Sequence, residues 1–247
     1  MRAVILAGGL GRRLASFSVT FPKPLVPVGD QPILEIVIKQ LVRHGFSRAT
    51  LAVGHLADLL QAYFQDGRKW DIQIDYSREV SPLGTAGPLA LLDDLPEHFL
   101  VMNGDILTTL DYSQLFQRHI DSGAEVTIAT HRRTVKIDYG VLEFDTFHRL
   151  TGFSEKPELH YQVSMGVYVF SRSALDVIEK GEHCDLNVFL KTLMDQNRMI
   201  GVYPSDDFWL DIGRGEDYAM AQEVFTENSD KFLRTGNPLA TVYEGGI

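Results

Sequence analysis

The sequence predicts an α/β fold built on a mainly parallel sheet with helices on both faces. Three observations predict it: short apolar runs alternate with segments of helical spacing, glycines follow directly on several of those runs, and no linker interrupts the alternation. Residues 3–6 form an apolar run ended by Ala7-Gly8-Gly9, the pattern of a buried parallel strand entering a tight loop. Pro22, Pro24, Pro27 and Pro32 exclude an interior helix over residues 21–32. Ile33, Leu34, Ile36, Val37, Ile38, Leu41 and Val42 then follow helical spacing, with Gly45 placed as a C-terminal cap. Residues 50–53 read as a second strand, 56–64 as a second helix with Gly67 beyond it, and 72–76 as a third strand.

Gly84-Thr85-Ala86-Gly87 opens a short helix running to residue 92, and residues 99–102 are a buried strand leading into Asn103-Gly104-Asp105. Beyond Ser122 the texture changes. Residues 125–130, 140–144, 150–153 and 166–170 read as strands separated by turns, with helices near 173–180 and 186–195. The chain thus reads as one unit over 1–225, made of a strand–helix part (1–122) and a more mixed part (123–225) that share one sheet. Residues 226–247 carry little pattern and read as a C-terminal tail.

A chain of 247 residues has room for one α/β domain or a tight pair. Its 23 basic and 33 acidic side chains leave a net charge of −10 and no basic stripe of the kind duplex binding needs, so nucleic acid is excluded as a partner. Cys184 stands alone, which excludes an internal disulfide and a cysteine zinc cluster. The apolar opening is too short for a signal peptide and no stretch approaches the ~20 residues of a bilayer span, so no membrane partner and a cytoplasmic location are expected. An acidic chain that binds a polyanion must gather its few cations in one place.

Two constellations supply them. In Leu6-Ala7-Gly8-Gly9-Leu10-Gly11-Arg12-Arg13-Leu14, glycines after a strand let backbone N–H groups approach phosphate oxygens, and Arg12 and Arg13 add fork-shaped donors. A tight strand-to-helix turn with solvated arginines fits the same residues. The loop lacks the third glycine of the dinucleotide fingerprint and the Gly-Lys-Ser/Thr of a P-loop. In Phe21-Pro22-Lys23-Pro24-Leu25 the flanking prolines limit where the Lys23 ammonium can point.

Residues 6–14 followed by Pro22-Lys23-Pro24 resemble the signature of the sugar nucleotidyltransferase (nucleoside-diphosphate-sugar pyrophosphorylase) family. The resemblance continues in order through Pro82-Leu83-Gly84-Thr85-Ala86-Gly87, Asn103-Gly104-Asp105, Tyr139-Gly140-Val141, Phe153-Ser154-Glu155-Lys156-Pro157, Gly166-Val167-Tyr168 and Trp209-Leu210-Asp211-Ile212-Gly213. It spans roughly 1–225 and is nearest to bacterial mannose-1-phosphate guanylyltransferase-like proteins. It implies a Rossmann-like α/β/α sandwich with a mainly parallel mixed sheet. It also implies an NTP and a sugar-1-phosphate as partners and Mg²⁺ as cofactor, with 1–122 the nucleotide-binding part and 123–225 the sugar-binding part. Members often form a homodimer.

Asp105 and Asp211 both fall at strand ends, where open α/β sheets bind ligands, and carboxylates there suit Mg²⁺. By resemblance, Leu6, Ala7, Gly8, Gly9, Gly11, Arg12, Glu79, Gly84, Thr85, Asn103 and Gly104 meet the nucleotide; Gly140, Glu155 and Gly166 meet the sugar; and Lys156 meets the sugar phosphate. The N–H groups of the turn at Gly84 are expected to face an anion or base. Glu79 lies where the family reads the base. A carboxylate answers the adjacent N1–H and N2–H₂ donors of guanine, which tilts the expectation to GTP, although a solvent-facing glutamate fits as well.

Two positions depart from the pattern: Arg12 stands in place of a small hydroxyl residue, and Arg214-Gly215 in place of a Thr/Arg-Pro pair. The expected chemistry is in-line attack by the sugar-1-phosphate on the α-phosphorus, expelling pyrophosphate. Arg13, Lys23 and Lys156 offset charge, and an already ionised nucleophile needs no general base. The alternatives are a thymidylyl-, uridylyl- or cytidylyltransferase, or a non-catalytic NDP-sugar-binding regulator. The eight scattered histidines read as surface or capping residues.

Overall fold

The computed structural model describes residues 1–9, 21–54, 56–213 and 215–233. In chain order its strands and helices are β1 (Arg2–Leu6), β2 (Pro27–Val28), β3 (Gln31–Pro32), α1 (Ile33–Arg43), β4 (Arg48–Val53), α2 (Ala57–Phe64), β5 (Gln73–Arg78), β6 (His98–Asn103), β7 (Ile106–Thr108) and α3 (Tyr112–Ser122). There follow β8 (Val126–Lys136), β9 (Val141–Phe144), β10 (Leu150–Ser154), β11 (Glu158–Ser171), α4 (Leu186–Asp195), β12 (Ile200–Ser205), β13 (Trp209–Asp211) and α5 (Gly215–Leu233).

Strands from both halves of the chain join one seven-stranded sheet in the order β12-β8-β11-β6-β1-β4-β5. Only β11 runs antiparallel to its neighbours; the remaining pairs are parallel, giving the mainly parallel mixed sheet expected. The central strands carry continuous apolar runs, residues 3–6 in β1 and 99–102 in β6, because both faces are covered. Ala3 and Ile5 of β1 face a layer built by Leu34, Ile38, Leu60, Phe64 and Leu115 of α1, α2 and α3. Val4, pointing the other way, joins Phe99, Val101, Phe170 and the α4 residues Phe189 and Leu193.

The chain winds outward from β1 in both directions, to β4 and β5 on one side and to β6 on the other. Such a reversal leaves a crevice beyond the carboxyl ends of the strands. The loops leaving β1, β4, β5 and β6 all open there.

The short helix expected after Gly84 is a 3-10 helix over Gly87–Leu91 with Pro88 at its start, and the helix expected near 173–180 is likewise 3-10, over Arg172–Val177. Strands β8 and β11 run on as a paired arm, Arg132 opposite Gln162 and Lys136 opposite Glu158. Both faces of that arm are solvated, so it lacks the alternating pattern that betrays a strand. The helix α5 carries the chain past residue 225 to Leu233, bends at Asn228, and buries Phe225 and Phe232 against Val28, Ile36 and Leu210; the rest of the expected tail lies outside the described residues. Among the described residues no helix is long and apolar enough to cross a membrane.

Candidate active site

The crevice holds a cavity of about 1010 Å³ lined by residues from every one of those loops. Its floor is the turn after β1. Ala7 donates its N–H to the Ala52 carbonyl at 2.8 Å and Gly104 donates to the Leu6 carbonyl at 3.0 Å, so the ends of β1, β4 and β6 are tied edge to edge. Leu6, Ala7, Gly8, Gly9, Glu79, Gly84, Thr85, Asn103, Gly104, Lys23, Asp105 and Asp211 all line it.

The short 3-10 turn Lys23–Leu25 buries Pro24 and Leu25 and leaves the lysine stem free to reach inward. The Lys23 ammonium pairs with Asp105 Oδ2 and lies 3.4 Å from Asp211 Oδ1. The two carboxylates, 106 positions apart in sequence, are brought together because β13 pairs antiparallel with β7, setting Asp211 opposite Ile106. Ile212 then donates its N–H to the Asp105 carbonyl at 3.2 Å, and Gly213 donates to Asp211 Oδ1 at 2.9 Å. Burial lifts the Asp105 carboxyl above the usual carboxylate range; Lys23 opposes the shift and Asp211 reinforces it.

This donor set fits Mg²⁺. Two hard carboxylates side by side, opening on a cavity large enough for a triphosphate, are what an ion held by one or two protein oxygens plus substrate phosphates requires. Gly213 keeps the pocket clear, since a Cβ there would lie 2.8 Å from Lys23 Nζ and 2.9 Å from Asp211 Oδ1.

Glu79 sits at the opposite wall. Its Oε2 accepts the Leu83 N–H at 3.0 Å, and its Oε1 occupies a slot between Gly8 and Gly54, 2.8 and 2.7 Å from where a Cβ would stand on either. Gly54, which the sequence reading passed over, is therefore part of the site. Its signal was present: Val53-Gly54 ends a strand just as Ala7-Gly8 does. Arg78 and Pro88 also line the cavity and were likewise passed over.

The turn at Gly84 differs from the expectation. The N–H groups of Ala86 and Gly87 both go to the Cys184 carbonyl, at 2.9 and 3.0 Å, and the Thr85 hydroxyl accepts the Leu186 N–H at 2.7 Å. Those N–H groups hold the loop before α4 and do not face an anion, although Gly84 and Thr85 still line the wall.

The second half of the chain contributes differently. Gly166, at φ 73° in a bulge of β11, packs against Asn103, whose amide nitrogen lies 2.8 Å from a Cβ placed there. Gly140 neighbours Phe153 and Glu155 Oε2. Glu155 and Lys156 lie exposed in the turn between β10 and β11 and, with Gly140 and Gly166, are not among the residues lining the cavity. Gly11, Arg12, Arg13 and Arg214 fall outside the described residues. Far from the site, His119 is fully buried, with Nδ1 2.9 Å from Thr127 Oγ1 and Nε2 3.2 Å from both Ser171 Oγ and His98 Nδ1. This corrects the surface-or-capping reading for this one histidine, while His44 caps α1 and His148, His160 and His183 are exposed.

A family profile described as nucleotidyl transferase matches residues 2–228. A UTP–glucose-1-phosphate uridylyltransferase from Synechocystis is 33% identical over 90% of this chain and 62% of its own length. The catalytic subunit beta of mannose-1-phosphate guanylyltransferase from Drosophila melanogaster is 34% identical over 88% of this chain and 60% of its own. The chain thus spans about three fifths of the length of these two relatives. Among solved structures, HddC from Yersinia pseudotuberculosis is 27% identical with a TM-score of 0.72, covering 91% of this chain and 99% of HddC. A second HddC structure, complexed with GMP-PN, superposes with a TM-score of 0.68 over the same shares at 26% identity. By a profile match over residues 2–228 and relatives 33–34% identical over about nine tenths of this chain, the chain belongs to the nucleotidyl transferase family.

Proposed function

We propose that the protein is a sugar-1-phosphate nucleotidyltransferase that joins an NTP to a hexose- or heptose-1-phosphate and releases pyrophosphate, with GTP the preferred nucleotide. The observation that carries this reading is the convergence of Lys23, Asp105 and Asp211 beside a glycine turn in one cavity. Asp105 and Asp211 would hold Mg²⁺, which when bound supplies positive charge to the phosphates. Lys23 offsets charge at the reacting phosphates; Arg13 and Arg12 do so at the leaving group, and Lys156 at the sugar phosphate. Gly8 and Gly9 let the nucleotide approach β1 without side-chain obstruction. A sugar phosphate is already ionised at neutral pH, so positioning and charge neutralisation suffice without a general base.

Glu79 carries the base preference. One of its oxygens accepts from Leu83, and a carboxylate retains lone pairs for the two adjacent donors of guanine. Uracil and thymine present carbonyls beside a single N–H and meet repulsion there. The HddC complex with GMP-PN supports the guanine reading; the uridylyltransferase among the relatives favours UTP as the second reading. Gly140, Glu155 and Gly166 form the sugar side, and a homodimer is the assembly we expect. The test is a panel of NTPs against several sugar-1-phosphates, read as pyrophosphate. Fastest release with GTP supports the proposal, UTP preference selects the second reading, and no release with any pair removes the activity.

A further inference from the structure

We propose that Lys23 is the built-in competitor of the divalent cation: its ammonium and the metal claim the same oxygens of Asp105 and Asp211. The inference rests on the metal assignment under Proposed function and adds an order of events to it.

The ammonium touches Asp105 Oδ2 and stands 3.4 Å from Asp211 Oδ1, so it lies between the two carboxylates rather than beside either. The Lys23 and Asp105 side chains are only 16% and 17% exposed. Asp211 is 42% exposed, so water screens the pair on that side; the repulsion that Asp105 still feels is relieved by the cation that contacts both carboxylates. The backbone holds the arrangement from both sides. Gly213 donates to Asp211 Oδ1, the same oxygen that faces Lys23, and the missing side chain of Gly213 is what leaves the ammonium its space.

A metal ion bound by both carboxylates cannot share those oxygens with an ammonium at this position. Lys23 must withdraw, and its flexible four-carbon stem, anchored by buried Pro24 and Leu25, permits a swing with no change of backbone. Withdrawal of a part-buried cation is unfavourable unless an anion receives it, and the phosphates of the incoming nucleotide are that anion. The metal therefore binds weakly to the protein alone and tightly with the triphosphate. By linkage the triphosphate binds more tightly with the metal.

The test measures Mn²⁺ binding to nucleotide-free protein by the electron paramagnetic resonance signal of free Mn²⁺. It compares wild type, Lys23→Met, Lys23→Gln and the double variant Lys23→Met/Asp211→Asn, with thermal melting to verify folding. Both single variants are expected to bind Mn²⁺ at least tenfold more tightly than wild type, and the double variant to lose that gain. A melting shift on adding Mn²⁺ that is larger in Lys23→Met than in wild type is the second expected readout. Mn²⁺ binding by Lys23→Met and Lys23→Gln that equals or falls below wild type, yet still depends on Asp211, overturns the competition and leaves the metal site standing. Binding unaffected by Asp211→Asn, with or without a non-hydrolysable GTP analogue, removes the metal site itself and the inference with it.

Discussion

Gly54→Ala is predicted to damage nucleotide selection while sparing the fold. A Cβ at residue 54 would lie 2.7 Å from Glu79 Oε1 and 3.1 Å from the Gly8 carbonyl oxygen, where ordinary contact begins at 3.4 Å. The backbone of Gly8 is pinned through Ala7 to β4, so the Glu79 side chain is the part that yields. A retreat of about 0.7 Å stretches the bond from Leu83 N–H to Glu79 Oε2, now 3.0 Å, beyond hydrogen-bonding range. Losing one bond to a carboxylate costs about 1.5–3 kcal/mol, and the carboxylate also leaves the place from which it is proposed to read the base. The expected result is a fall in kcat/KM for GTP of about tenfold to a hundredfold, with a smaller fall for UTP. Pyrophosphate release measured with both nucleotides reads it directly. Unchanged values for both, in a variant that melts at the wild-type temperature, refute the slot as the holder of Glu79.

Three further outcomes follow from particular contacts. Glu79→Gln keeps the shape and removes the charge, so the ratio of kcat/KM for GTP over UTP is expected to drop about tenfold, read in the same assay; an unchanged ratio contradicts base reading by Glu79. Thr85→Val leaves the Leu186 N–H without its 2.7 Å acceptor at the start of α4, and a loss of about 1 kcal/mol is expected, lowering the melting temperature by ~2–4 °C. Burial, reinforced by neighbouring His98, pushes His119 down to about 4. The unfolded chain therefore takes up a proton that the folded chain refuses, and this stability is complete above the ordinary value of 6.5 and lost as pH falls from there through 4. The loss reaches up to ~3 kcal/mol, and urea unfolding at several pH values should show a steeper decline below pH 6.5 in wild type than in His119→Gln. Equal slopes contradict it.

Much of the fold was legible because parallel strands buried on both faces leave continuous apolar runs, as residues 3–6 and 99–102 do. Asp105 was legible for a related reason: a polar residue directly after such a run has few places to go but the crevice. What escaped was set by partners far away in sequence. The N–H groups of the Gly84 turn looked free to meet an anion because nothing local reveals that the Cys184 carbonyl, 98 positions after Ala86, takes those of Ala86 and Gly87. Gly54 escaped because its meaning depends on the Glu79 side chain crossing the mouth of β4. The arm of β8 and β11 escaped because Arg132, Arg133 and Thr134 are solvated on both faces. His119 escaped because its polar partners come from three separate segments, which hydropathy does not register.

The most direct test is pyrophosphate release by the purified protein with its best substrate pair, wild type against Asp105→Asn, across a Mg²⁺ titration. Wild-type release is expected to need the cation. The asparagine variant, equal in size and still able to hydrogen-bond Lys23, is expected to turn over at least ~100-fold more slowly at saturating Mg²⁺ with an unchanged melting profile. Release by Asp105→Asn at the wild-type rate and with the wild-type Mg²⁺ dependence would contradict the pairing of Asp105 with Asp211 as the metal-holding centre.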